Sequence, residues 1–267
     1  MDFVTVNGVK IAFYEQGAGE PLVLIRGYTQ NAAMWYDQVP DLSREFRVIT
    51  YDQRDTGNSQ AVDAPYTVAD MAEDVAGVIR TPNVGPVHLF GLSMGGMIAQ
   101  ALTLSHPDLV KTLILGCTTC SLKTGFTQDP KVLAQFVTDP DLSDEENARK
   151  SLPALFSPQT LSGAKDVADR YAREALANRP PLATFVRHQA AMQSFNVCDQ
   201  LHRIAVPTLI AHGTGDQLLP VKNAHQLKEL IPHAKLKLYE GLGHLYFHEA
   251  PATVNRDIIE FIKQAHS

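Results

Sequence analysis

A serine hydroxyl is a poor nucleophile until a base takes its proton. The stretch Gly91-Leu92-Ser93-Met94-Gly95-Gly96 has the features that would present one for that purpose. It closes an apolar run, Pro86 to Leu92, and opens a helical stretch carrying Met97, Ile98, Ala101 and Leu102. A sharp strand-to-helix turn holds such a serine in a strained backbone at the sheet edge. Gly91 and Gly95 lack the β-carbons that would collide where strand and helix pass closely. The plain alternative is a glycine-rich turn with a capping serine, but strand, turn and helix coincide, and Ser93 is the candidate nucleophile.

The base is sought among ten histidines. His244 sits in Gly241-Leu242-Gly243-His244, after the last strand-like run and before the last helical one. His248 lies closer to that helix, where capping or packing is expected, and His212 ends a strand as a core histidine would. A carboxylate must then orient the imidazole from a loop at the same edge. Gly213-Thr214-Gly215-Asp216 follows directly on the strand ending at His212, so Asp216 is the candidate rather than a mere turn residue. Cys117-Thr118-Thr119-Cys120-Ser121, after the preceding strand, offers no acid.

The elements that must position these groups are legible from periodicity. Val9 to Tyr14, Pro21 to Arg26, Phe46 to Asp52, Pro86 to Leu92, Lys111 to Cys117, Pro207 to His212 and Ala234 to Tyr239 are strand-like. The first residues, Met-Asp-Phe-Val-Thr-Val, alternate in the same way. Tyr66 to Arg80, Val221 to Leu230 and Pro251 to Ala265 carry apolar residues at helical spacing. Strands alternating with helices require crossover connections, hence a mostly parallel sheet covered on both faces. Residues 122–192 contain no buried-strand run but several helical patches, among them Lys165 to Ala177. The charged run Asp139 to Lys150 reads as a solvated helix face. The expected organisation is one α/β domain with core 1–121 and 193–267 and a helical cap insertion, 122–192.

Composition narrows the partners. The 267 residues are 45% hydrophobic and 19% charged, with net charge −6 and an isoelectric point near 5.9. An acidic surface attracts neither nucleic acid nor an anionic membrane. The N-terminus shows no basic segment followed by an apolar one, and no apolar run is long enough for a membrane. Three cysteines argue against a disulfide framework, so the expected compartment is the cytoplasm. Cys117 and Cys120 form a Cys-x-x-Cys without a second pair to complete a metal site, and packing is the expected role.

Ser93 in Gly-Leu-Ser-Met-Gly-Gly-Met, Tyr51-Asp52-Gln53-Arg54-Asp55-Thr56-Gly57-Asn58-Ser59, and Gly243-His244-Leu245 followed by Glu249-Ala250-Pro251 resemble the α/β-hydrolase superfamily. The likeness is to its enol-lactonase, carboxylesterase, perhydrolase and methylesterase group. It covers nearly the whole core and is weakest in the insertion, which corresponds to a variable cap. The resemblance implies an eight-stranded, mostly parallel sheet flanked by helices, with the order Ser93, Asp216, His244 matching the family's Ser, acid, His. It further implies an oxyanion hole from the backbone N–H groups of Tyr28 and Met94. Hydrolysis of a small-molecule ester or lactone is then expected, without metal or cofactor, by a monomer or homodimer. Trp35, Phe126, Phe136 and the Met94 side chain are candidates for an apolar substrate pocket.

A serine at this turn excludes the aspartate-dependent dehalogenase and epoxide-hydrolase mechanisms. Carbon–carbon bond hydrolysis, perhydrolysis and a slow-turnover ligand receptor remain as alternatives with the same triad. Two positions depart from the resemblance. Arg26 stands where many relatives carry histidine, and Asp55 where a glycine is usual. Asp52, Arg54 and Asp55 are read as structural loop residues. For Arg26 the favoured expectation is that its guanidinium bonds carbonyls of neighbouring loops and steadies Gly27-Tyr28; the rival is a pairing with a substrate carboxylate.

Overall fold

Eight strands form one sheet in the computed structural model, which describes residues 1–81, 84–126, 129–137 and 139–265. They are β1 (Asp2–Val6), β2 (Val9–Gln16), β3 (Pro21–Ile25), β4 (Arg47–Tyr51), β5 (Val87–Leu92), β6 (Val110–Gly116), β7 (Thr208–Gly213) and β8 (Lys235–Tyr239). Their order across the sheet is β1-β2-β4-β3-β5-β6-β7-β8. β2 runs antiparallel to both β1 and β4, and every pairing from β4 to β8 is parallel. This is the expected eight-stranded, mostly parallel α/β-hydrolase sheet.

The central strands are predominantly apolar because both sheet faces are covered. In β3, Val23 and Ile25 enter one core while Leu22 and Leu24 enter the other. β5 does the same with Val87 and Leu89 against Phe90 and Leu92, as a side-chain period of two requires. Helix α1 (Val39–Leu42) leads into β4. Helix α2 (Val68–Ile79) then covers the first core with Val68, Met71, Val75, Val78 and Ile79. Its start is set by a capping box, in which Thr67 and Asp70 satisfy each other's backbone N–H groups. α3 (Met94–Ser105) packs beside it.

Among the described residues, six α-helices separate β6 from β7: α4 (Pro130–Ala134), α5 (Asp144–Lys150), α6 (Leu152–Leu155), α7 (Pro158–Gly163), α8 (Lys165–Ala177) and α9 (Leu182–Ser194). α5 buries no residue, as its charge run predicts. After the helices, Asn196 forms an isolated antiparallel bridge with Ser121, and the chain rejoins the sheet at β7. α10 (Lys222–Leu230) connects β7 to β8 and returns to the first core. α11 (Tyr246–Glu249) and α12 (Pro251–Gln264) close the chain, α12 covering the second core with Val254, Ile258, Phe261 and Ile262. Among the described residues, no helix is long and apolar enough to cross a membrane.

One expectation is overturned. Cys120 and Cys198 form a disulfide with their Cα atoms 5.0 Å apart, and Cys117 stays free and buried. The partners stand 78 residues apart, on either side of the helical segment. Cysteine counting looks for a framework of several bridges, whereas a single clasp leaves an odd residue over. The cysteines therefore no longer argue for a reducing compartment.

The residues after β4 are occupied by structure. Asp52 accepts from the Tyr14 hydroxyl (2.8 Å) and from the Ala32 and Asn58 amides (3.0 and 2.8 Å). Arg54 meets Asp74 through Nε and Nη2 at 2.7 and 2.8 Å in a buried pair. The Asp55 carboxylate takes the Tyr66 hydroxyl (2.8 Å) and Arg187 Nε (2.7 Å), tying this loop to α9. Asp55 has φ of 68°, where a glycine would be at ease.

Candidate active site

The carboxyl ends of five parallel strands converge on one edge, where open α/β sheets form their crevice. Gly27 and Tyr28 follow β3, Ser93 follows β5, Cys117 follows β6, Asp216 follows β7 and His244 follows β8. Ser93 has φ 56° and ψ −119°, a conformation that costs a non-glycine residue roughly 1–3 kcal/mol. Close packing enforces it. A β-carbon on Gly91 would stand 2.3 Å from the Gly95 carbonyl, and one on Gly95 would stand 2.2 Å from that of Ile25.

Behind the serine, His244 and Asp216 form a buried pair with Nδ1 2.7 Å from Oδ2. The other oxygen, Oδ1, accepts the Leu218 and Leu219 amides at 2.9 and 2.8 Å. A carboxylate can only accept, so Nδ1 of His244 carries the proton and a neutral ring leaves Nε2 as an acceptor. Burial disfavours charge on His244, but Asp216 and then the Cys117 thiol outweigh it and push the imidazole well above its ordinary range. Burial would raise Asp216; His244 and His212 reverse that and hold the carboxylate below its ordinary value.

The rival histidines are otherwise engaged. His248 Nδ1 pairs with Asp37 Oδ2 at 2.7 Å, and burial lowers its pKa to about 4. His212 is buried, its Nε2 donating to the Leu219 carbonyl at 2.7 Å. That same nitrogen stands 3.2 Å from Asp216 Oδ2, a second contact to the carboxylate that position in the chain could not reveal.

Two backbone segments lie beside Ser93. Met94 opens α3, where an N–H has no carbonyl one turn back to bond. Gly27 brings the other loop close: a β-carbon there would sit 3.2 Å from that of Ser93. The loop is held by groups the sequence did not single out. Gln53 Nε2 donates to the Arg26 and Gly27 carbonyls at 2.5 and 3.2 Å, and His188 Nδ1 accepts from the Thr29 amide at 3.1 Å. Tyr28 itself reaches α9 through its hydroxyl, 2.9 Å from the Phe185 carbonyl. Gln53 therefore does what was expected of Arg26, whose guanidinium bonds no loop carbonyl among the described residues.

A cavity of about 520 Å³ lies over this edge, lined by Ser93, His244, Tyr28 and Cys117 below and by residues of the inserted helices above. Phe136 lines it and remains 43% exposed. Among the described residues, the lining does not include Trp35, Phe126 or Met94. Trp35 is buried under the sheet edge between Phe90 and Phe247, at ring distances of 5.3 and 6.2 Å. Phe126 is turned outward, its backbone clamped by Asn223 and its ring beneath Lys222. The Met94 side chain fills the core below. An aromatic residue marks apolar surface, but only the path of the loop decides which surface it joins. No group of three or more His, Cys, Asp or Glu side chains among the described residues is arranged to hold a metal ion.

A family model for the alpha/beta hydrolase fold matches residues 20–251. The protein named RutD, for carbamate hydrolysis, in Pseudomonas savastanoi pv. phaseolicola is 29% identical over 253 residues, covering 92% of this chain and 95% of its own. The structure of a thermophilic esterase from Thermogutta terrifontis, with malate bound, superposes with a TM-score of 0.83 at 26% identity, covering 100% of this chain and 99% of that one. The N-acyl homoserine lactone degrading enzyme Est816 gives 0.83 at 26% identity, with coverage of 97% and 100%.

Proposed function

Because the chain belongs to the alpha/beta hydrolase fold family and is a hydrolase, we propose that it cleaves a carboxylic ester or lactone through an acyl-enzyme on Ser93. The observation that carries this reading is the His244–Asp216 pair, which leaves the imidazole Nε2 as an acceptor over the cavity that Ser93 also lines. The transfer of the Ser93 proton to that nitrogen is what the proposal adds. Ser93 Oγ attacks the carbonyl carbon as Nε2 takes the proton, and the Tyr28 and Met94 N–H groups receive the oxyanion. The imidazolium then protonates the departing alcohol oxygen. Water attacks the acyl-enzyme with the same base and releases the acid. The residues from 122 to 192 act as the cap that shapes the pocket.

The esterase and lactonase likenesses support an oxygen ester, and the RutD likeness keeps a carbamate in view. Arg26-Gly27-Tyr28-Thr29 lacks the run of glycines expected of carbon–carbon bond hydrolases. A panel of aryl esters, alkyl esters, lactones, carbamates and thioesters tests the reading, with turnover of ~1–10³ s⁻¹ expected on esters or lactones. Turnover confined to carbamates overturns the ester assignment, and turnover far slower on every substrate points to a receptor. Hydrogen peroxide as acyl acceptor probes the perhydrolase alternative.

The pH dependence has a definite sign. Only neutral His244 accepts the serine proton, and its folded pKa lies above the ordinary 6.5. kcat/KM should therefore rise with pH along a limb displaced to the alkaline side of an ordinary imidazole. Asp216→Asn removes the charge that stabilises the imidazolium, so the same limb should move to lower pH as the rate falls. A profile flat from acid to alkali under chemistry-limited conditions contradicts this.

A further inference from the structure

Arg26 lies at the end of β3, one residue before the loop beside Ser93, and it is 1% exposed. Its planar group sits over the rings of Trp35 and Phe247, 4.9 Å from each centroid. Nη2 donates to the side-chain oxygen of Gln30. Nε and Nη1 have no hydrogen-bond partner among the described residues, and neither does the neighbouring Trp35 Nε1. The charge of Asp37 reaches Arg26, but its carboxylate is already engaged by His248 Nδ1 at 2.7 Å and Arg170 Nη1 at 3.2 Å. Burial pushes the guanidinium down to about 10, which still leaves it cationic near neutral pH.

A buried cation with a neutral partner is costly unless something balances it. The other charged residues of the cavity are balanced within the chain: Arg179 meets Asp144 at 2.8 Å and His244 meets Asp216. Arg26 is the exception. It lines the cavity with Gln30, Met34, Tyr171 and Phe247, in the same space as Ser93. Gln30 supplies a neutral oxygen where a carboxylate would supply a charged one, and its side-chain amide donates to the Tyr171 hydroxyl at 2.7 Å. A guanidinium with spare donors in a planar fork suits a carboxylate better than any other group of that size.

We propose that Arg26 recognises a free carboxylate on the substrate, so that the preferred esters or lactones carry an acid group at their far end. The incoming carboxylate displaces the Gln30 oxygen from Nη2 and supplies the missing counter-charge. This inference rests on Ser93 hydrolysing an ester, and it names the substrate class of that same site.

The test compares monoethyl succinate, glutarate and adipate with their neutral diethyl esters. Wild type should favour at least one half-ester, chiefly through KM. In Arg26→Met the ratio of kcat/KM for that half-ester to kcat/KM for its diester should fall roughly ten- to a hundredfold, the worth of a charge-assisted hydrogen bond. Arg26→Lys should restore part of it. A ratio that Arg26→Met leaves within twofold of wild type overturns the proposal. Binding to Ser93→Ala, followed by calorimetry, decides independently of turnover and of whether the Arg26 variants fold. Succinate, glutarate or adipate should bind at least tenfold more tightly than its diamide; equal binding for all three pairs overturns the proposal. Dicarboxylate binding without ester turnover would sink the hydrolytic reading of Ser93 while leaving carboxylate recognition standing.

Discussion

Ser93→Ala abolishes ester hydrolysis, with an expected loss on the order of 10⁴–10⁶ in kcat, the range seen when a serine nucleophile is removed. The fold should survive. The change deletes one oxygen at the rim of a cavity, and alanine meets the same backbone strain at φ 56° that serine already meets. Thermal unfolding should therefore coincide for the two proteins while their hydrolysis rates do not. Covalent labelling by an organophosphonate should occur on wild type and be lost in Ser93→Ala. Residual activity within tenfold of wild type corresponds to only about 1.4 kcal/mol of lost transition-state stabilisation. That result would end the case for Ser93.

His244→Ala should cost as much as losing the serine, because nucleophile and base act as a unit and their losses do not add. The double variant Ser93→Ala/His244→Ala should be no slower than either single one. Asp216→Asn should cost on the order of 10⁴, since it disturbs the tautomer that leaves Nε2 free to accept. His248→Ala should alter stability more than rate, because its contact is to Asp37. His212→Ala occupies the middle: it removes a contact of 3.2 Å to the Asp216 carboxylate without removing the base. Steady-state kinetics on one ester across the six variants ranks them. If His248→Ala or His212→Ala is slower than His244→Ala, the assignment of the base is wrong.

Some features were legible because they are local. An apolar run such as Pro86–Leu92 forms a strand wherever both its faces are covered, and β5 spans Val87–Leu92. The spacing of Val68, Met71, Val75 and Val78 allows only one face to be buried, and α2 buries that face. Gly91 reports the collision of a strand with the helix that follows it, a contact with Gly95 four residues on. Chain order then placed Ser93, Asp216 and His244 after β5, β7 and β8, at one edge of a parallel sheet.

What the sequence by itself determined was thus the alternation of strands and helices, the sheet class and the edge at which the candidate groups emerge. The tertiary structure decided the rest. Cys198 finds Cys120 only because the helical segment folds back across 78 residues. Gln53, an unremarked neighbour of Arg54, steadies the Arg26-Gly27 carbonyls because β3 and β4 lie side by side. Trp35 left the pocket for the core, and Arg26 was left without a carboxylate, through contacts among residues 26, 30, 35, 171 and 247. Periodicity reports which way a side chain faces within its own element. Which charge it meets there depends on segments brought together from far along the chain, and no local pattern encodes that.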